Sequence, residues 1–311
     1  MSLAVIAPGV FTTVQDLGRD RFRSWGVPIG GAFDLASAML ANALLDNSSD
    51  CAVLEMTHVG GVYEAKTVMA LALAGAPMRA QVRPRSGSDT PIVPAIAFSL
   101  KPFDQLVIEG TPTGVRTYLA VKGGWQTPEI LGSRSSEIPL KRGDDLPCLA
   151  GSMSPVRRRE DFRALQSAEG TILRLIDAPD AGLVDIHWLD PEHFYTVGAQ
   201  SDRMGIRLQG QPCEAEVDPE RLSTPVAPGA VQIAGGLPLI LGVACGTMGG
   251  YPHVAQILSA DLPRLAQARV GEKIHFERVS VAEGRRISLS WRRDLRDQAA
   301  IVRAFAADRI G

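Results

Sequence analysis

The feature that most constrains the fold is a short apolar run that keeps recurring, closed off each time by turn formers. In the first half "LAVIAPG", "AVLEMTHVG", "TVMALALAG", "AIAFSL", "DQLVIEG" and "RTYLAVKGG" follow one another, each bounded by Gly, Pro, Asp or Asn. Runs of this length predict strands joined by short loops. Glycine (31 residues) and proline (21) supply the punctuation. One stretch departs from the pattern. In "AFDLASAMLANALLDN" the residues Leu35, Met39 and Ala43 fall at helical spacing, which predicts an amphipathic helix with Asp34 as its N-cap.

The second half repeats this style. "TILRLIDAP", "YTVGAQSDRMGIRLQG", "GAVQIAGGLPLILGVACG" and "KIHFERVS" read as strands, "DPEHF" and "DLPRLAQ" as short helical turns, and "RVGE" as a turn. Trp291, Leu295, Val302 and Phe305 share one face of a predicted terminal helix. Between the halves, "DDLPCLAGSMSPVRRREDFRALQSAEG" is polar and aperiodic, which places a domain boundary near Gly170 and divides the chain into 1–170 and 171–311. Its arginines, Arg157 to Arg159, fit a solvated face or an anion site. The fold class is mainly β.

Composition removes several functions. The 311 residues carry a formal net charge of -2, which gives no electrostatic footprint for nucleic acid or an anionic membrane. The four cysteines form no CxxC pair, so a zinc knuckle or thioredoxin-like motif is not expected. The N-terminal apolar run has no basic leader or cleavage site, and the longest apolar runs are too short to span a bilayer. A cytoplasmic location is the expectation.

Familiar catalytic signatures are missing: there is no GxxxxGK[ST], HExxH or GxSxG. "IHWLDPEHF" places His187, Asp190, Glu192 and His193 where they suit either a metal or an ordinary helix start. "QDLGRDRFRSWGVPIGGAFD" can hold a carboxylate or carbonyl through Arg19, with Gly26, Gly30 and Gly31 admitting close backbone approach and the helix N-terminus at Asp34 favouring negative charge. "SDRMGIRLQG" offers Arg203 and Arg207 around Gly205, and "TMGGYPHVAQ" a glycine-rich bend with Tyr251. Each also has a structural reading as an internal ion pair or a tight turn. Cys245 is either a nucleophile with a lowered pKa or, more simply, a small hydrophobe in a buried strand "LILGVACG".

Taken in order, "TVQDLGR", "GVPIGGAFD", "LANALLDN", "AVLEMTHVGG", "RTYLAVKGG", "LGSRSS", "SDRMGIRLQG", "GGYP" and "SADLPRLAQARVGEKIHF" resemble the biotin-dependent carboxyltransferase-like family. That family contains the C subunit of ATP-dependent 5-oxoprolinase, the KipA regulatory protein, proteins labelled allophanate hydrolase subunit 2, and the carboxyltransferase portion of urea carboxylase. The resemblance implies two cyclophilin-like β-barrel domains with a few short helices, a C-terminal helix and a cleft between the domains. It implies a component of a 5-oxoprolinase-type complex that opens a small cyclic amide, 5-oxoproline to glutamate. Its implied partners are a KipI-like protein, similar to the B subunit of 5-oxoprolinase, and a hydrolase subunit. ATP is then used by the complex, and no cofactor is bound covalently. Two alternatives remain open: carboxyl transfer to a urea-like amide with biotin on a separate carrier, and a KipA-like protein that binds a KipI-like partner without catalysis.

The family motifs carry over onto Gln15, Asp16 and Arg19, onto Gly26, Pro28 and Asp34, onto Ser133 and Arg134, onto Arg203, Gly205 and Arg207, and onto Gly249, Gly250, Tyr251 and Pro252. These are the expected substrate-binding positions. Two places depart from the motifs. Gly30 stands where the family usually has serine, and Ala244, Cys245 and Gly246 stand where oxoprolinase-like members read Asp, Arg and Gln. A carboxylate able to orient an amide nitrogen is therefore absent at Ala244, and no catalytic residue is assigned.

Overall fold

The computed structural model describes residues 1–92, 95–149, 171–190, 192–213, 215 and 220–307. The chain divides into two compact units, Met1–Gly18 with Asp34–Ala164 and Asp294–Gly311, and Arg19–Phe33 with Leu165–Arg293. A single cut along the sequence does not anticipate that Arg19–Phe33 belongs with the second unit. The boundary expected near Gly170 and the run Arg157 to Arg159 lie outside the described residues.

The first unit holds β1 (Ser2–Ala7), β2 (Phe11–Gln15), α1 (Leu35–Leu44), β3 (Val53–Thr57), β4 (Val59–Ala65), β5 (Met69–Gly75), β6 (Ala80–Arg83), β7 (Thr90–Ile92), β8 (Ile96–Leu100), β9 (Gln105–Gly110), β10 (Arg116–Val121) and β11 (Asp145–Pro147). They form a six-stranded sheet, β11-β1-β4-β9-β6-β7, and a five-stranded sheet, β2-β3-β10-β5-β8. Leu3, Val5, Tyr63, Leu106 and Ile108 of one sheet meet Val14, Leu54, Met56, Leu71 and Leu119 of the other in one apolar core. Helix α1 packs on β5 and β10, so "MALALAG" and "RTYLAV" are buried at every position rather than alternately. Its small residues, Ala38, Ala41 and Ala43, permit that approach. The run "AVLEMTHVG", read as one strand, is two: His58 takes a left-handed φ of 63° and turns β3 into β4.

The second unit contains β12 (Thr171–Asp177), β13 (Tyr195–Val197), β14 (Gly205–Gln209), β15 (Thr224–Pro225), β16 (Ala230–Ala234), β17 (Leu237–Leu241), β18 (Met248–Gly249), β19 (His253–Ile257), α2 (Leu262–Gln267) and β20 (Lys273–Arg278). Seven of these strands close a barrel in the order β12-β19-β16-β17-β14-β13-β20, and β15 pairs with β18 apart from it. The parallel pairing of β12 with β20 closes the ring. Gly235 and Gly236, both at positive φ, make the two-residue hairpin between β16 and β17. Leu173, Leu175, Ile206, Val231, Ile240, Val254 and Phe33 fill the interior. The chain is thus mainly β as expected, with the closed barrel in the second unit and two sheets in the first.

Helix α3 (Val281–Ala307) is longer than its sequence pattern predicted. Val302 is buried and Trp291 and Leu295 are half-buried, as one face requires; the side chain of Phe305 lies outside the described residues. No helix of the described residues is long and apolar enough to cross a membrane. The helical turn expected at "DPEHF" falls earlier, as a 3-10 turn over Ile186–Leu189, because the Asp185 side chain accepts from His187 N at 3.0 Å and caps it there. Pro191 lies outside the described residues.

Candidate functional site

Within the first unit the expected residues converge on Asp16. Strand β2 ends at Gln15, which is fully buried and donates from Nε2 to Thr13 Oγ1 and to the Ser136 carbonyl, each at 2.9 Å. Gln15 therefore ties β2 to the 133–136 segment from inside the protein. Asp16 follows as the chain leaves the sheet. Its Oδ1 accepts from Ser133 Oγ (2.6 Å), Ser135 Oγ (2.6 Å) and Gly18 N (2.7 Å), and its Oδ2 from Arg134 N (2.6 Å). So saturated a carboxylate organises a loop; charge-assisted bonds of this length are the strong kind.

What that organisation produces is a cavity of ≈ 280 Å³, in whose wall stand Asp16, Gly18, Asp50, Gln126, Glu129 and Arg134. Arg134 donates to the Thr127 carbonyl, and its Nη2 lies 3.7 Å from Glu129 Oε2. A guanidinium with carboxylates around one small cavity can hold a molecule that presents both a carboxylate and N–H groups. Cys51 is in the same wall, and burial, then the charge of Asp50, pushes its thiol up. Asp34 belongs elsewhere in this unit: it caps α1, with Oδ1 accepting from Ser37 N at 3.1 Å and Oδ2 from Ser37 Oγ at 2.6 Å.

Within the second unit the glycine loop and the Arg203 turn are knitted together. Gly30 N donates to Val243 O at 3.0 Å, and buried Arg203 donates through Nη2 to Gly31 O at 2.8 Å. Gly30 and Gly31 have φ of 66° and 86°, a left-handed backbone that glycine adopts without the strain a side chain brings. Arg19 N reaches Ile29 O at 2.8 Å and closes the base of the loop, Gly26 caps its 3-10 turn, and Pro28 is exposed. Arg203 and Arg207 do not act as a pair. Arg203 precedes β14 and is buried, whereas Arg207 lies within β14 and is exposed.

The strand expected through "LILGVACG" stops at Leu241. A Cβ at Gly242 would lie 2.2 Å from the Arg203 carbonyl oxygen, and the chain turns there, with Ala244 N donating to that same carbonyl at 3.0 Å. Cys245 is buried with Val226, Ala230 and Leu241, and burial pushes its thiol up to about 11 despite the opposing charge of Arg23. It is packed as a small hydrophobe, and burial disfavours its thiolate. Gly249, Gly250 and Tyr251 form an outward bend whose carbonyl end is held by buried Gln232, Nε2 to Tyr251 O at 3.0 Å. His187 pairs with Asp190 at 3.0 Å on the surface; among the described residues no group of three or more His, Cys, Asp or Glu is placed to hold a metal.

These two assemblies sit in a chain whose residues 25–278 match the family described as carboxyltransferase domain, subdomain A and B. The chain belongs to that family. It is similar to the C subunit of 5-oxoprolinase from Escherichia coli K12, 34% identical over 90% of this chain and 92% of that protein. Among solved structures it resembles the K. lactis urea amidolyase, with a TM-score of 0.83 and 25% identity over 94% of this chain and 20% of that one. It also resembles TTHA0988, with a TM-score of 0.77 and 34% identity over 89% of this chain and 56% of that one. In both solved relatives the carboxyltransferase fold is thus part of a longer polypeptide.

Sequence reasoning missed several members of these assemblies. Ser135 was legible in "LGSRSS", two residues beyond Ser133. Asp50, Glu129 and Gln232 carry no local signal, since only the folded sheets bring them beside their partners.

Proposed function

We propose that this carboxyltransferase-family chain serves within an ATP-dependent 5-oxoprolinase-type complex that opens a small cyclic amide. The observation that carries the reading is the 34% identity to the C subunit of E. coli 5-oxoprolinase over nearly the whole of both chains. The cavity beside Asp16 supports it chemically. Its ≈ 280 Å³ suit a small molecule, Arg134 can face the carboxylate of 5-oxoproline, and Asp50 or Glu129 can accept from a ring N–H. In this reading ATP is consumed by the complex with a KipI-like protein and a hydrolase subunit.

The test is reconstitution with candidate partner proteins, following glutamate release from 5-oxoproline with and without ATP. ATP-dependent release that requires this chain supports the reading, and no release from any combination ends it.

A second reading, partner binding without catalysis, is favoured by one observation. Ala244 and Cys245 are buried and apolar where a carboxylate and a guanidinium are expected, so neither of those two groups can serve as acid, base or anion holder there. Tight partner binding with no turnover in either the wild type or Ala244→Asp would favour it.

A further inference from the structure

We infer that the outer face of the six-stranded sheet carries a binding site for a phosphorylated nucleoside. Glu64, Arg83, Pro84, Arg85, Phe103 and Gln105 line a cavity of ≈ 450 Å³ there, within the first unit. The strand register assembles it. Gln105 of β9 lies opposite Glu64 of β4 on one side and opposite Arg83 of β6 on the other. Their chain neighbours Tyr63, Leu106 and Val82 belong to the core, so this row of three faces away from it. Gln105 Nε2 donates to Glu64 Oε2 at 3.1 Å and steadies the row. Pro84 disfavours a helical backbone at Arg83, and in an extended chain residues two apart share a side, which brings Arg85 to the same cavity.

Two features of this cavity call for a ligand. Phe103 holds a φ of 69°, a left-handed backbone that is costly for a bulky residue, and its ring is 53% exposed. The turn enforces that conformation, with Phe103 N donating to Ala65 O at 2.7 Å and Lys101 N to Asp104 Oδ2 at 2.8 Å. Glycine would relax the backbone there, and an exposed ring stabilises nothing by burial. The second feature is the Arg85 guanidinium, which lies over the Phe103 ring, 5.2 Å from its centre, and pairs with no carboxylate among the described residues. Arg83 has one such partner, Asp89, whose Oδ2 lies 3.5 Å from its Nε. Two guanidiniums from separate residues suit the several oxygens of a phosphate monoester, whereas one fork satisfies a carboxylate. Glu64 can accept from ribose hydroxyls, and the exposed Phe103 ring offers a base a stacking surface. A bare phosphate would leave most of the ≈ 450 Å³ empty. The site is distinct from the cavity beside Asp16 and does not rest on the 5-oxoprolinase reading.

The experiment is isothermal titration calorimetry of the full chain with adenosine monophosphate, and with ribose phosphate, adenosine and inorganic phosphate as separate probes. Saturable binding of adenosine monophosphate is expected, about tenfold tighter than that of any of the other three. Arg83→Ala and Arg85→Ala should each weaken it about tenfold through loss of the charge-assisted bonds. Phe103→Gly relieves the left-handed backbone, so the fold survives, and it should bring the affinity for adenosine monophosphate down to that for ribose phosphate. Arg286→Ala removes a surface arginine of α3 and is expected to bind as wild type does. Circular dichroism establishes that each variant is folded.

No saturable binding of adenosine monophosphate below about 5 mM overturns the site. Inorganic phosphate that binds as tightly as the nucleotide reduces it to an adventitious ion only, and ribose phosphate that does so removes the base from Phe103; either result overturns the nucleoside class. Nucleotide binding that Arg85→Ala and Phe103→Gly leave unchanged lies elsewhere on the chain, and the proposal falls. Glutamate release is read in none of these titrations, so their failure leaves the functional reading standing.

Discussion

The guanidinium of Arg203, buried at 4% exposure, donates to the carbonyl of Gly31 at 2.8 Å although the two residues are 172 positions apart. One side chain thereby fixes the glycine loop on the turn that replaces the expected strand at Gly242. Truncating it buries an unanswered carbonyl and leaves a cavity. Arg203→Ala is expected to lose about 2–4 kcal/mol of unfolding free energy. Urea titrations with an unchanged slope check this, and a loss below about 0.5 kcal/mol would contradict the assignment.

Asp16 holds its loop through four accepted hydrogen bonds. Asp16→Ala strands the Ser133 and Ser135 hydroxyls and the N–H groups of Gly18 and Arg134, at a cost of about 2–4 kcal/mol. Asp16→Asn keeps one acceptor oxygen and should fall between. Hydrogen exchange at the Arg134 amide reports the same loss locally, and unchanged protection in Asp16→Ala would refute the role.

The thiols give a prediction independent of any activity. Burial is the first cause that raises all four, to about 11 at Cys213 and Cys245. Only Cys51 is not fully buried. At pH 8, Ellman's reagent should modify Cys51 first and the others only on unfolding. Rapid native-state labelling of Cys245, read by peptide mass mapping, would restore it as a candidate nucleophile.

His253 has its pKa lowered, chiefly by burial. Neutral imidazole is therefore favoured in the folded state, and the unfolded chain binds the proton first. Its contribution to stability is complete above the unfolded value near 6.5 and is lost as pH falls through the lower folded value. Thermal melts at pH 5 and pH 8 should show His253→Gln losing less on acidification than wild type does. Equal losses would show that His253 is not the group responsible.

Gly249 tests the Tyr251 bend. A Cβ there would lie 2.4 Å from Gln232 Nε2, the atom that holds Tyr251 O. Gly249→Ala is expected to displace Gln232 at a cost of about 1–3 kcal/mol and to release the bend. Nuclear magnetic resonance of the Gln232 side-chain amide follows the break directly; an unmoved resonance argues against it.

What the sequence determined by itself was local. Apolar runs between turn formers specified the strands, and Asp34 before an alanine-rich stretch specified a capped helix, because each depends only on neighbouring residues. The motif "LGSRSS" likewise marked Ser133, one of the two serines that bond Asp16. Other outcomes needed the whole fold. Arg203 and Arg207, similar in the sequence, separated into a buried clamp and a solvated side chain because one precedes β14 and the other lies in it. The same packing moved Arg19–Phe33 into the second unit, brought Gly242 against the Arg203 carbonyl where the strand ends, and brought Asp50 and Glu129 to the cavity of Asp16. Contacts between residues far apart in the chain carry no local pattern, since only the closed sheets decide which side chains become neighbours.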